Sequence, residues 1–177
     1  MNTQLMGGWS NPEPPTDKDR AVFDAAFGNL SGLSYQPLLV AKQIVNGTNY
    51  AFFCEANAAT ATPQTGFVMA EAHETLEGAV TRTNITIYGM VPQSVNAWSE
   101  ARLLTEHDAA IFAKGVAGVK GVIHTPLLVS SQVEKDVRHR FFCVSQSENL
   151  PGRVGFTVAT MLENEESVRV VHVATFG

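Results

Sequence analysis

Along the chain the spacing of apolar positions switches from helical to strand-like, and the same switch happens a second time. Between Asp17 and Leu30, the residues Val22, Phe23, Ala26, Phe27 and Leu30 fall at helical spacing and make one apolar face. Thr16, preceded by Pro14-Pro15, stands where an N-cap belongs, and Asp17 and Asp19 suit the positive end of the helix dipole. The helix is predicted to end near Gly28 to Gly32. From Pro37 onward the pattern becomes strand-like over roughly 37–45, 49–57, 65–73 and 79–88, each run bounded by turn formers. A second helix is predicted near 106–117, followed by strands near 125–134, 138–147, 154–162 and 167–176.

The recurrence is a duplication. Thr16 to Cys54 aligns without a gap on Thr105 to Cys143 at an offset of 89 residues, which also pairs Trp9-Ser10 with Trp98-Ser99, Gly66-Phe67 with Gly155-Phe156, and Glu74 with Glu163. Gly89 and Pro92 punctuate the chain between the copies. Two domains are therefore expected, 1–89 and 90–177, each just large enough to hold its own core. The expected class is α+β, with one helix packed across a four- to five-stranded antiparallel sheet in each unit, the apolar face of the sheet supplied by alternation.

Gln43-Ile44-Val45-Asn46-Gly47 lies between the first two predicted strands, so it is a hairpin tip, and Asn46-Gly47 is a turn dipeptide suited to φ > 0. Two readings of the tip stay open. Either Asn-Gly merely closes the hairpin while Val45 tucks into the core, or Ile44 and Val45 hold apolar surface in water for a partner.

Composition narrows the function classes. Apolar residues make up 45% and charged residues 16%, which suits a folded globular chain. The net charge of −5 and a pI near 5.5 exclude an electrostatic footprint for nucleic acid or acidic lipid. No run of eighteen apolar residues occurs, and the start MNTQLMGGWSNPEPP lacks a signal-peptide pattern, so a cytoplasmic protein is expected. The two cysteines, Cys54 and Cys143, read as small buried hydrophobes, with an inter-repeat bridge left open.

Gly7-Gly8 ahead of the first helix, the Gln-x-Val-x-Gly tip at 43–47, the Gly47-Thr48-Asn49-Tyr50 stretch that completes it, and the order of one helix then four strands together resemble the cystatin superfamily, most closely its stefin type. The resemblance covers most of the first unit and reaches the second through the repeat. It implies a reversible, tight-binding inhibitor of papain-like cysteine proteases that wedges into the active-site cleft and covers the thiol without reacting with it. The trunk would be Gly7 and Gly8 with flanking Met6, and the first loop Gln43, Ile44, Val45, Asn46 and Gly47. Glycine lets the trunk pass close to the cleft wall, and a stiff hairpin lowers the ordering cost of binding.

For the second loop the corresponding segment is Glu71-Ala72-His73-Glu74, where His73 matches the stefin histidine and Ala72 replaces the proline. The second unit departs further: Gln132-Val133-Glu134-Lys135-Asp136 keeps only the glutamine, and Asn96-Ala97 stands in place of the glycine pair. A carboxylate at Glu134 opposes burial in an apolar cleft, so a single-headed inhibitor is expected. The alternative is a non-inhibitory binding or structural protein on a duplicated scaffold.

No other chemistry emerges from the motifs. The five histidines are scattered, with no His-Glu-x-x-His and no Cys-x-x-Cys, so no metal site is expected. Gly115 to Gly121 fits neither the dinucleotide nor the P-loop spacing, and no Gly-x-Ser-x-Gly occurs. No catalytic residue and no cofactor are expected. Asn29, Asn46 and Asn84 begin glycosylation acceptor patterns, and a glycan on Asn46 would block the tip, which fits a cytosolic or bacterial setting.

Overall fold

In the computed structural model, residues 8–58, 60–93, 96–149 and 154–176 are described. The chain divides into two compact units with the boundary after Gln93. Unit 1 runs α1 (Asp17–Phe27), β1 (Ser34–Val45), β2 (Gly47–Ala58), β3 (Gln64–Glu74) and β4 (Val80–Pro92). Unit 2 runs α2 (Glu106–Gly115), β5 (Val122–Val133), β6 (Val137–Ser147), β7 (Val154–Glu163) and β8 (Val168–Phe176). Each unit holds one four-stranded antiparallel meander, in the orders β1-β2-β3-β4 and β5-β6-β7-β8.

The expected α+β architecture, a helix across a one-faced sheet in each of two units, is corrected by this structure. Two antiparallel sheets account for most of the chain, and among the described residues helix is confined to two short segments of 11 and 10 residues. The predicted alternation fails in the strand centres: Leu38 to Ala41 on β1 and Tyr50 to Cys54 on β2 are buried without interruption. Continuous burial means that both faces of these strands are shielded from water, whereas a short helix covers only one. Val22, Phe23 and Phe27 of α1 join Val40, Phe52, Cys54 and Ala70 in one cluster, while Leu39, Phe53 and Met69 are buried on the opposite face.

Both helices begin in the same way. Thr16 and Thr105 form capping boxes with Asp19 and Asp108, the threonine accepting from the N3 amide while the aspartate accepts from the threonine backbone N–H. Each aspartate is buried, and each unit neutralises it differently. In unit 1 the cation is Lys42 of β1, with Nζ 2.9 Å from Asp19 Oδ1. In unit 2 it is Arg102 from the segment before α2, whose Nη1 and Nη2 donate to Asp108 at 2.6 and 3.1 Å. At the duplicated positions, Ser131 replaces Lys42 and Arg102 replaces Glu13. The cation has moved from one segment to another while the buried charge stayed.

Candidate functional site

β1 and β2 are paired from Ser34↔Asn57 to Val45↔Gly47, which leaves Asn46 alone at the hairpin tip. Gly47 takes φ +110°, a conformation that a side chain disfavours. A Cβ there would also collide with the Glu74 carbonyl oxygen and lie 3.0 and 3.1 Å from His73 Cε1 and Nε2. The tip is thus tight and seated on β3, and glycine is required at 47.

Three segments meet at this end of unit 1. The chain before α1 runs along β1, pinned by the Trp9↔Gln43 bridge and by Ser10, whose backbone N–H donates to the Lys42 carbonyl while its Oγ accepts from the Lys42 N–H. The β1–β2 tip follows. Thr48↔Glu74 pairing then brings the β3–β4 turn, Thr75 to Ala79, beside it. That turn is closed by Thr75 N–H to Ala79 O and Gly78 N–H to Thr75 O, with Gly78 at φ +86°. Each segment presents large apolar surface: Trp9 is 46% exposed, Ile44 51%, Val45 43% and Leu76 76%. Val45 therefore does not fold inward.

The expected site residues are only partly brought together. Gln43, Ile44, Val45, Asn46 and Gly47 form the tip, and Gly8 is exposed beside Trp9. Gly7 lies outside the described residues. Ala72 and His73 do not form a second loop, because β3 continues through Glu74. Ala72 is 1% exposed and belongs to the core cluster with Tyr50 and Phe52, which corrects its assignment as a protease contact. His73 instead reaches across to β2, its Nδ1 2.8 Å from Asn49 Oδ1.

Leu76 and Trp9 are the apolar residues that motif reading missed. Leu76 carried one usable signal, since Thr75-Leu-Glu-Gly78 is a polar turn sequence with a single large aliphatic residue in it. Trp9 carried only the repeat match to Trp98; its neighbours say nothing about where it docks.

The same end of unit 2 is more charged, although Val133, at the place of Ile44, is 69% exposed. Glu134, Lys135 and Asp136 form its first tip, and Glu165 stands where Leu76 stands in unit 1. A pocket of about 640 Å³ between these hairpins is lined by Lys135, Asp136, Glu163, Glu165 and Glu166, among others. His139 replaces Tyr50, and its Nε2 lies 2.9 Å from Glu163 Oε2 where Tyr50 donates to Glu74 at 2.7 Å.

Burial, reinforced by the hydrogen bond to Glu74, pushes the Tyr50 hydroxyl far above its ordinary range. Burial raises the Cys54 thiol strongly and pushes Cys143 up to about 12, so neither is a ready nucleophile, and both are free. Among the described residues no group of three or more His, Cys, Asp and Glu is placed to hold a metal ion. Among the same described residues no helix is long and apolar enough to cross a membrane. No protein-family model and no curated protein matches the chain.

Proposed function

We propose that unit 1 is a reversible, tight-binding inhibitor of papain-like cysteine proteases, of the kind its likeness to the cystatins implies, acting through the end that carries Trp9, the Gln43–Gly47 tip and the Thr75–Ala79 turn. One observation carries the reading. Segments far apart in sequence place Trp9, Ile44, Val45 and Leu76, all substantially exposed, along one end of a stiff pair of hairpins. Unit 2 makes two of the equivalent positions polar, with Glu134 and Glu165, and keeps apolar exposure at Val133 alone of the tip.

The mechanism is occlusion. Aliphatic side chains on tight turns enter an apolar cleft as preformed knobs, so little conformational entropy is lost on docking. About half of Trp9, Ile44 and Val45 and three quarters of Leu76 remain to be buried, worth roughly 1–2 kcal/mol apiece. No group on the ridge is an activated nucleophile, so the protease thiol is covered and left chemically unchanged. The charged tip of unit 2 favours a different role for that copy, as a scaffold or as a binder of another partner, and inhibition is single-headed.

The test is titration of a fixed amount of papain with the chain, read by hydrolysis of a small fluorogenic substrate. A linear fall to an end point near one chain per active site supports the proposal. Full activity at a large molar excess of the chain would end it.

A further inference from the structure

The tip of unit 1 is backed by a polar ladder whose Asn49 and His73 have no role in the occlusion proposed above. Gln43, Asn49 and His73 occupy adjacent positions on β1, β2 and β3, paired as Gln43↔Asn49 and Asn49↔His73. Asn49 Nδ2 donates to Gln43 Oε1 at 2.8 Å, and His73 Nδ1 lies 2.8 Å from Asn49 Oδ1. Because an amide oxygen only accepts, His73 carries its hydrogen on Nδ1, and the ring is fixed with Cε1 and Nε2 turned toward Gly47. The ladder thus ties three strands together one to three residues behind the exposed Ile44 and Val45, and its last member closes over the glycine on which the turn pivots.

The duplicated copy supplies an independent comparison. At the equivalent positions, Arg138 replaces Asn49, Leu162 replaces His73 and Asp136 replaces Gly47. Gln132 is retained, but its side-chain amide donates to the Asn96 carbonyl oxygen. Asn49, His73, the pivot glycine and Val45 are all replaced in unit 2, while Val133 at the place of Ile44 stays apolar and exposed.

We infer that Asn49 and His73 are positioning residues for the tip: they hold the β1–β2 hairpin against β3 so that Ile44 and Val45 project in one direction before any partner arrives. The inference rests on the inhibitor reading for its functional consequence, while the rigidity it assigns belongs to the free chain. Asn49→Ala removes both hydrogen bonds and His73→Ala removes one. His73→Gln returns a side-chain N–H that can donate to Asn49.

The experiment measures backbone NMR order parameters of residues 44–48 in the free full-length chain, together with the urea unfolding midpoint and the inhibition constant for papain. With Asn49→Ala and His73→Ala, order parameters at the tip are expected to fall from about 0.85 toward about 0.6, with the midpoint lowered by far less than a core truncation lowers it. Inhibition is expected to weaken roughly tenfold for Asn49→Ala and about threefold to fivefold for His73→Ala, with recovery in His73→Gln. Val45→Ala, a contact change, should weaken inhibition and leave the order parameters alone. Unaltered order parameters in both alanine variants overturn the inference, and so does a midpoint lowered as far as by a core truncation, which would make the ladder a general structural element. A loosened tip in a chain whose wild type leaves papain fully active upholds the brace and removes the inhibitor reading instead.

Discussion

Replacing Lys42 by serine imports the unit 2 residue into unit 1 and exposes a buried charge balance. The Asp19 carboxylate is 2% exposed and its ion pair with Lys42 spans 2.9 Å, with the lysine side chain 24% exposed. Removing one partner of a fully buried pair costs about 3–5 kcal/mol. Two features lower that figure here. Thr16 still donates its N–H and Oγ–H to Asp19 Oδ2 at 2.9 and 2.7 Å, and the ammonium end is partly solvated. A loss of about 2–3 kcal/mol is therefore expected for Lys42→Ser. The second copy shows how to restore it, since Arg102, at the position of Glu13, holds Asp108 with two donors. Glu13→Arg in the Lys42→Ser background should recover at least half of the loss, because it supplies a cation and removes a carboxylate that Lys42 now also neutralises at 3.5 Å. The assay is urea unfolding of the full chain with hydrogen exchange read separately at 17–27 and 106–115, unit 2 serving as the internal control. A double variant no more stable than Lys42→Ser, or a single variant destabilised by less than about 0.5 kcal/mol, would refute the reasoning.

On the ridge proposed to inhibit, Val45→Asp and Leu76→Asp should each weaken papain inhibition by about two orders of magnitude, from lost apolar burial plus the desolvation of a new carboxylate. Val133→Asp should leave the inhibition constant within about twofold, and equal losses from Val45→Asp and Val133→Asp would contradict single-headed inhibition. The hydrogen bond from Arg102 holds the Asp108 carboxyl well below the usual range, against burial and with help from Thr105. A lowered folded-state pKa stabilises above the unfolded value and is lost as pH falls, so unit 2 should weaken progressively below about pH 3.9. Arg102→Ala should shrink that acid-sensitive contribution, measurable as a flatter dependence of the unfolding midpoint between about pH 4 and 2. Cys54 and Cys143, with thiols raised by burial, should resist alkylation at neutral pH in the native chain and react after unfolding, as mass spectrometry would show.

Local pattern reached a definite depth into this protein. Helix starts were legible because a capping threonine, its N3 aspartate and an apolar face are neighbours in sequence, as Thr16, Asp19 and Val22 to Phe27 show. The duplication was legible because it is a property of the string itself, and the Gln43–Gly47 tip because Asn-Gly marks a turn without reference to anything distant. These features depend on interactions within a few residues, where spacing and residue type are the physics.

What required the tertiary structure depends on register between segments far apart. Whether a strand is shielded on one face or two follows from what packs on it, so alternation predicts a single apolar face where Leu39 and Phe53 are in fact buried on the other. Ala72 lies in the core and not in a loop because β3 runs on to Glu74, and that length is set by pairing with β2. Leu76 and Trp9 join the ridge through the Thr48↔Glu74 and Trp9↔Gln43 pairings. No local propensity encodes which strand a turn will sit beside, because that choice is made by the summed burial of both partners.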